Sequence, residues 1–154
     1  GDKFEQLIHK YFGSDFSQLK KPLDVATFNI STQKTETFTQ GNLARAIRAS
    51  CSLPLMFQPV RMGTQLYWDG GILDKMAINH LTEHENILSH YLPSKGITSF
   101  YEKIIPERNS NIDTERVKIL SLKDLPRSGP HKLHLGPQII EQAYQQTLRL
   151  LEST

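Results

Sequence analysis

The stretch from Leu23 to Gly71 constrains the fold of this chain most, because it alternates strand and helix signals and ends on an acid followed by two glycines. Leu23–Ile30 is rich in β-branched and aromatic residues, and Thr35–Thr39 reads as its hairpin partner across Ser31-Thr32-Gln33-Lys34. Asn42 is a good N-cap for a helix with Leu43, Ala46 and Ile47 on one face, and Pro54 forces an end after Ser50-Cys51-Ser52. From Pro59 to Trp68 two short strands flank Met62-Gly63-Thr64, and the second runs straight into Asp69-Gly70-Gly71. Asp69 is therefore expected at a strand end.

Helices are expected on both sides of this stretch. Asp2 with Glu5 has the spacing of a capping box, and Phe4, Leu7, Ile8, Tyr11 and Phe12 recur at helical spacing until Gly13. Such a stripe more often faces its own core than a membrane. Ile87–Leu92 and Val117–Leu122 read as strands, and the polar segment 93–115 between them is the most variable part, with a short helix expected near Phe100. Gly136-Pro137 opens a last helix with Ile140, Ala143, Tyr144, Thr147, Leu148 and Leu151 on one face. The pattern predicts an α/β fold, a central sheet flanked by helices.

Composition excludes several classes of function. Lys and Arg exceed Asp and Glu by only 18 − 16 = 2, and Lys20-Lys21 is the longest basic run, so no nucleic-acid footprint emerges. No apolar run approaches the roughly 18 residues of a membrane span, and Gly1-Asp2-Lys3-Phe4 has none of the layout of a signal peptide. The single cysteine, Cys51, rules out an internal disulfide and suits a reducing compartment. The expected location is cytoplasmic, with peripheral membrane contact compatible.

Two other constellations carry chemistry. His80-Leu81-Thr82-Glu83-His84 has the His-x-x-Glu-His spacing of a zinc site, but lacks an evident third ligand and reads more readily as a solvated connection. Cys51 has the chemistry of a thiol nucleophile, yet a cysteine at a helix end beside apolar neighbours is more often a small buried hydrophobe. Neither a metal nor a cofactor is expected.

The order Ala44-Arg45-Ala46-Ile47-Arg48-Ala49-Ser50-Cys51-Ser52-Leu53-Pro54, then Phe57-Gln58-Pro59-Val60, Gly63 and Tyr67-Trp68-Asp69-Gly70-Gly71, resembles the patatin-like phospholipases. Lys21-Pro22-Leu23 and the closing stretch Lys132–Leu151 extend the likeness, so residues 1–154 look like the C-terminal portion of one such domain. The pattern departs at Lys75-Met76-Ala77, where an Asn-x-Pro sequence is common in the family. The resemblance implies a serine hydrolase acting on lipid or other acyl esters through a Ser-Asp dyad, with Asp69 as general base. A carboxylate near its reference pKa of ~4 is a poor base, so Asp69 needs burial or fixed geometry. Gly70 and Gly71 are expected to supply that geometry, one or the other through positive φ. The family's Gly-x-Ser-x-Gly elbow and glycine-rich oxyanion loop do not occur in these residues, and Ser14 and Ser128 read as loop serines.

Three consequences follow from the resemblance. The elbow and oxyanion loop would lie upstream of Gly1, and this chain alone is expected to be inactive. Its uncovered apolar faces should be met by the N-terminal half of the domain or by self-association. The rival reading is a non-catalytic binding or scaffold module in which Asp-Gly-Gly is a relic.

Overall fold

The structure is a computed structural model that describes residues 1–78, 80–81, 86–91, 116–122, 125–126 and 132–152. The expected short helix near Phe100, the segment 93–115 and Ser128 lie outside them. The chain forms two compact units.

The first unit opens with α1 (Asp2–Phe12) and continues through β1 (Val25–Asn29), β2 (Lys34–Phe38), α2 (Leu43–Ser50), β3 (Val60–Met62) and β4 (Gln65–Asp69). The four strands make one antiparallel sheet in the order β2-β1-β4-β3. The β1–β2 hairpin forms as its composition predicts, and Asn29 Oδ1 closes the turn by accepting from the N–H groups of Ser31 and Thr32. Glu36 ties three strands together, accepting from Asn29 Nδ2 at 2.8 Å and from the Tyr67 hydroxyl at 2.9 Å. Burial, and then the Glu36 carboxylate, push the Tyr67 phenol above its ordinary pKa, so it stays a donor.

Asn42 caps α2 as expected, its Oδ1 accepting from Arg45 N at 2.9 Å. The helix lays Leu43, Ala46 and Ala49 on the sheet, where they pack with Phe16, Val25, Val60 and Tyr67. Three alanines and one leucine among its buried residues let the helix approach closely, and the fully buried Leu43 is worth on the order of 1.5–3 kcal/mol. After Ser50 the chain turns away, with Ser52 Oγ donating back to Arg48 O at 2.7 Å.

Helix α1 departs from its sequence reading in two ways. Gly1 takes the N-cap position and Asp2 is already helical, so no Asp2–Glu5 capping box forms. Both acids instead reach Arg48 of α2, with Arg48 Nη1 at 2.7 Å from Glu5 Oε1 and 3.3 Å from Asp2 Oδ1. The apolar stripe does not face a core either: only Ile8 is buried, while Phe4, Leu7, Tyr11 and Phe12 are exposed. The helix docks on α2 through charge, which leaves the stripe uncovered. A capping box does form further on, where Asp15 and Gln18 close a short 3-10 turn at Phe16–Gln18.

The second unit contains β5 (Ile87–Tyr91), β6 (Val117–Ser121) and α3 (Gly136–Glu152). The strands pair in parallel from Ile87 with Val117 to Tyr91 with Ser121. Helix α3 begins at Gly136 as its Gly-Pro signal predicts, but Ile140, Tyr144 and Leu151 are exposed and its more covered side runs through Ile139, Ala143 and Thr147. The assigned face is thus rotated by about one residue, a shift that the flanking apolar pairs Ile139-Ile140 and Leu150-Leu151 make hard to read from spacing. The architecture is α/β, with sheet and flanking helices.

Candidate active site

Asp69 is the last residue of β4, opposite Thr27 of β1. Its backbone N–H donates to Ser52 O at 3.0 Å, which joins the strand end to the turn after α2. Its side chain turns forward over a 3-10 turn at Gly70–Ile72, and Oδ1 accepts from Gly71 N at 2.8 Å. Oδ2 has no hydrogen-bond partner among the described residues. The carboxylate lines an open cleft of about 320 Å³ with Asp24, Ala26, Ile47, Cys51 and Asp74. Burial raises the Asp69 pKa above the ordinary carboxylate value, and the Gly71 N–H partly offsets it. A half-buried carboxylate with one oxygen anchored, in the lining of an open cleft, can accept a proton from a neighbouring hydroxyl.

The two glycines do not act through positive φ. The glycines with positive φ among the described residues are Gly13, Gly41 and Gly63. Gly70 instead lies against β1: a Cβ there would stand 2.5 Å from Ala26 O and 2.6 Å from Ala26 C, which are backbone atoms that cannot swing aside. A Cβ on Gly71 would stand 3.0 Å from Asp69 Oδ1. Close approach, rather than left-handed backbone, is what the Asp-Gly-Gly sequence supplies here.

Cys51 shares the cleft and is exposed. Desolvation by its neighbours, and then the Asp69 carboxylate, push its thiol above the usual range, which is the wrong direction for a nucleophilic cysteine. Asp69→Asn removes one of these two causes. Alkylation of Cys51 by iodoacetamide at neutral pH is expected to quicken in that variant, by up to about tenfold, since each pKa unit changes the thiolate fraction tenfold. An unchanged rate would mean that Asp69 carries no charge near the thiol.

Of the His-x-x-Glu-His residues, Glu83 and His84 lie outside the described residues. His80 Nε2 approaches Asp24 Oδ2 at 3.2 Å without hydrogen-bond alignment, a charge pair only when the imidazole is protonated. Asp24 and Asp74 join Asp69 at the cleft without having been marked by any motif. They stand one residue before β1 and just beyond the 3-10 turn, positions that meet only after the strands pair. No spacing in the sequence signals that meeting.

The family model described as patatin-like phospholipase matches residues 1–82, the stretch that builds the sheet, the cleft and Asp69. The chain belongs to the patatin-like phospholipase family. It is similar to an uncharacterized protein of Acanthamoeba polyphaga mimivirus, 28% identical over 155 residues, which cover 82% of this chain and 51% of that protein. An uncharacterized NTE family protein of Mycobacterium tuberculosis is 28% identical over 104 residues, 62% of this chain and 18% of the relative. A lysophospholipase of Phaeosphaeria nodorum is 32% identical over 82 residues, 53% of this chain and 5% of the relative. The chain thus spans about half the length of the viral relative and far less of the other two.

The departure from the patatin-like pattern at Lys75-Met76-Ala77 has a structural counterpart. Ala77 takes φ 51°, a conformation closed to proline, whose ring holds φ near −65°. Ala77 N donates to Asp74 O at 3.2 Å, and Asp74 N to Gly70 O at 3.0 Å, so the segment winds back on the Asp69 turn.

Proposed function

We propose that the polypeptide carrying this chain is a serine lipid acyl hydrolase in which Asp69 is the general base of a Ser-Asp dyad. The observation that carries this reading is the Asp69 carboxylate itself: anchored through Oδ1, unpartnered at Oδ2 among the described residues, raised in pKa by burial and open to a cleft. Family membership and the lysophospholipase among its relatives favour acyl esters of lipids as the substrate class.

In this reading a serine hydroxyl attacks the ester carbonyl while Asp69 Oδ2 takes its proton. Collapse of the tetrahedral intermediate expels the alcohol, which receives the proton from Asp69. Water then repeats the sequence on the acyl-serine, with Asp69 again as base. The serine and the oxyanion donors come from another part of the polypeptide, because these residues contain no Gly-x-Ser-x-Gly elbow. Residues 1–154 by themselves are therefore inactive. The exposed stripe of α1 is a surface for that other part to cover.

The test is release of fatty acid from a lysophospholipid and from a soluble short-chain ester by the intact polypeptide. Asp69→Asn is expected to abolish most of both activities. Undiminished release by the variant would remove Asp69 from the mechanism.

A further inference from the structure

The main chain at Asp69 needs a partner that the sheet does not supply. Ile30 N donates to Leu66 O, and β1 faces β4 with Phe28 opposite Trp68 and Thr27 opposite Asp69. Backbone groups alternate sides along an antiparallel strand, so Leu66 and Trp68 turn theirs to β1, and Tyr67 and Asp69 turn theirs to β3. Strand β3 begins at Val60, opposite Tyr67, and its ladder stops before it reaches Asp69. Ser52 O takes that place, accepting from Asp69 N at 3.0 Å. This bond fixes the backbone from which the carboxylate projects.

Ser52 is held so that its carbonyl stays there. It is 4% exposed, its N–H donates to Ala49 O at 3.0 Å, and its Oγ donates to Arg48 O at 2.7 Å, both carbonyls of the last turn of α2. With N–H, hydroxyl and carbonyl all engaged, the orientation of the residue is set from the helix end. The hydroxyl bond is what the side chain contributes, because alanine would fill nearly the same space without it. Ser50 and Cys51 line the cleft and Ser52 does not, so its reach to the reacting atoms runs through Asp69. The aspartate is thus held from both sides, its main chain by Ser52 O and its Oδ1 by Gly71 N at 2.8 Å.

We propose that Ser52 is a positioning residue for the general base: its buried hydroxyl sets the carbonyl that holds the Asp69 main chain where β4 has run out of partner strand. The proposal rests on the Ser-Asp reading and deepens it, assigning to a side chain outside the cleft the placement of the carboxylate within it.

The experiment compares Ser52→Ala and Ser52→Cys in the intact polypeptide, by turnover of a soluble short-chain ester and by hydrogen exchange at the Asp69 amide. Cysteine keeps the volume but is a weak donor, so a loss common to both variants is not the effect of a cavity. Each is expected to lower kcat by roughly tenfold with KM unchanged, a fraction of the ~10²-fold that a 1 Å misplacement costs. The acid limb of kcat/KM should move to lower pH, toward the usual carboxylate value of about 4, as the loosened carboxylate gains water. Adding Ser52→Ala to Asp69→Asn should cost no further turnover, a non-additivity that a serine serving the fold alone would not show. Exchange at the Asp69 amide should quicken at least about tenfold in both variants, a readout that needs no turnover. Undiminished turnover by Asp69→Asn would end the dyad reading, while the amide would still report the anchor. The proposal is overturned if Ser52→Ala and Ser52→Cys keep the parental kcat and pH limb, whatever their Tm, or if the Asp69 amide exchanges as slowly in them as in the parent.

Discussion

Gly70→Ala is expected to destabilise the intact polypeptide by about 3 kcal/mol and to lower turnover at least ~100-fold. The added Cβ would meet Ala26 O at 2.5 Å, Ala26 C at 2.6 Å and Thr27 N at 3.0 Å, all backbone atoms of the central strand β1. Overpacking against movable side chains costs about 1–3 kcal/mol, and backbone atoms leave less room to relax, so the upper end applies. Relief requires the 3-10 turn to lift away from β1, which carries Asp69 with it, and a displacement near 1 Å is enough to cost ~10²-fold in rate. Gly71→Ala should behave differently. Its Cβ would press on Asp69 Oδ1 at 3.0 Å, and a carboxylate can rotate, so activity should fall while the melting temperature stays close to the parent's. Thermal unfolding with ester turnover on both variants separates the two roles. A Gly70→Ala protein with parental Tm would show that the turn is not packed on β1 as described.

The strands and α2 were legible because their signals are local. The hairpin follows from β-branched content, and α2 from a side-chain cap and a proline stop that act within a few residues of where they occur. Misreadings occurred where a residue's partner is distant in sequence. Asp2 and Glu5 have capping-box spacing, but an arginine 43 residues beyond Glu5 outbids the helix end for their carboxylates. The α1 stripe was periodic enough to mark a helix but could not say what, if anything, covers it. Asp-Gly-Gly marks the end of β4 in the sequence, yet a glycine needed for positive φ and one needed for close approach look alike there. Only the pairing of Thr27 with Asp69, which brings Gly70 against Ala26, distinguishes them.

The larger effect is expected at Asp69 itself, where Asp69→Asn should lower kcat by about 10²–10⁴-fold with the fold preserved. Asparagine is the informative replacement because its Oδ1 can still accept from Gly71 N, so the 3-10 turn keeps its cap while the base is lost. Stability gives an independent reading. Burial raises Asp69, so the folded state holds this proton more tightly than the unfolded state does. The group therefore destabilises the fold increasingly as pH rises from the unfolded carboxylate range through the folded pKa, and the effect vanishes in acid below both. The asparagine variant should accordingly match or slightly exceed the parent's stability at neutral pH, and the difference should close in acid. In the parent, kcat/KM should rise with pH along a limb displaced above the usual carboxylate value of about 4.

Among these measurements, kcat of Asp69→Asn in the intact polypeptide, on a soluble short-chain ester that needs no lipid surface, bears most directly on the proposed dyad. The account predicts a loss of about 10²–10⁴-fold with a melting temperature equal to or slightly above the parent's. Turnover within a few-fold of the parent, in a variant that unfolds like the parent, would contradict it.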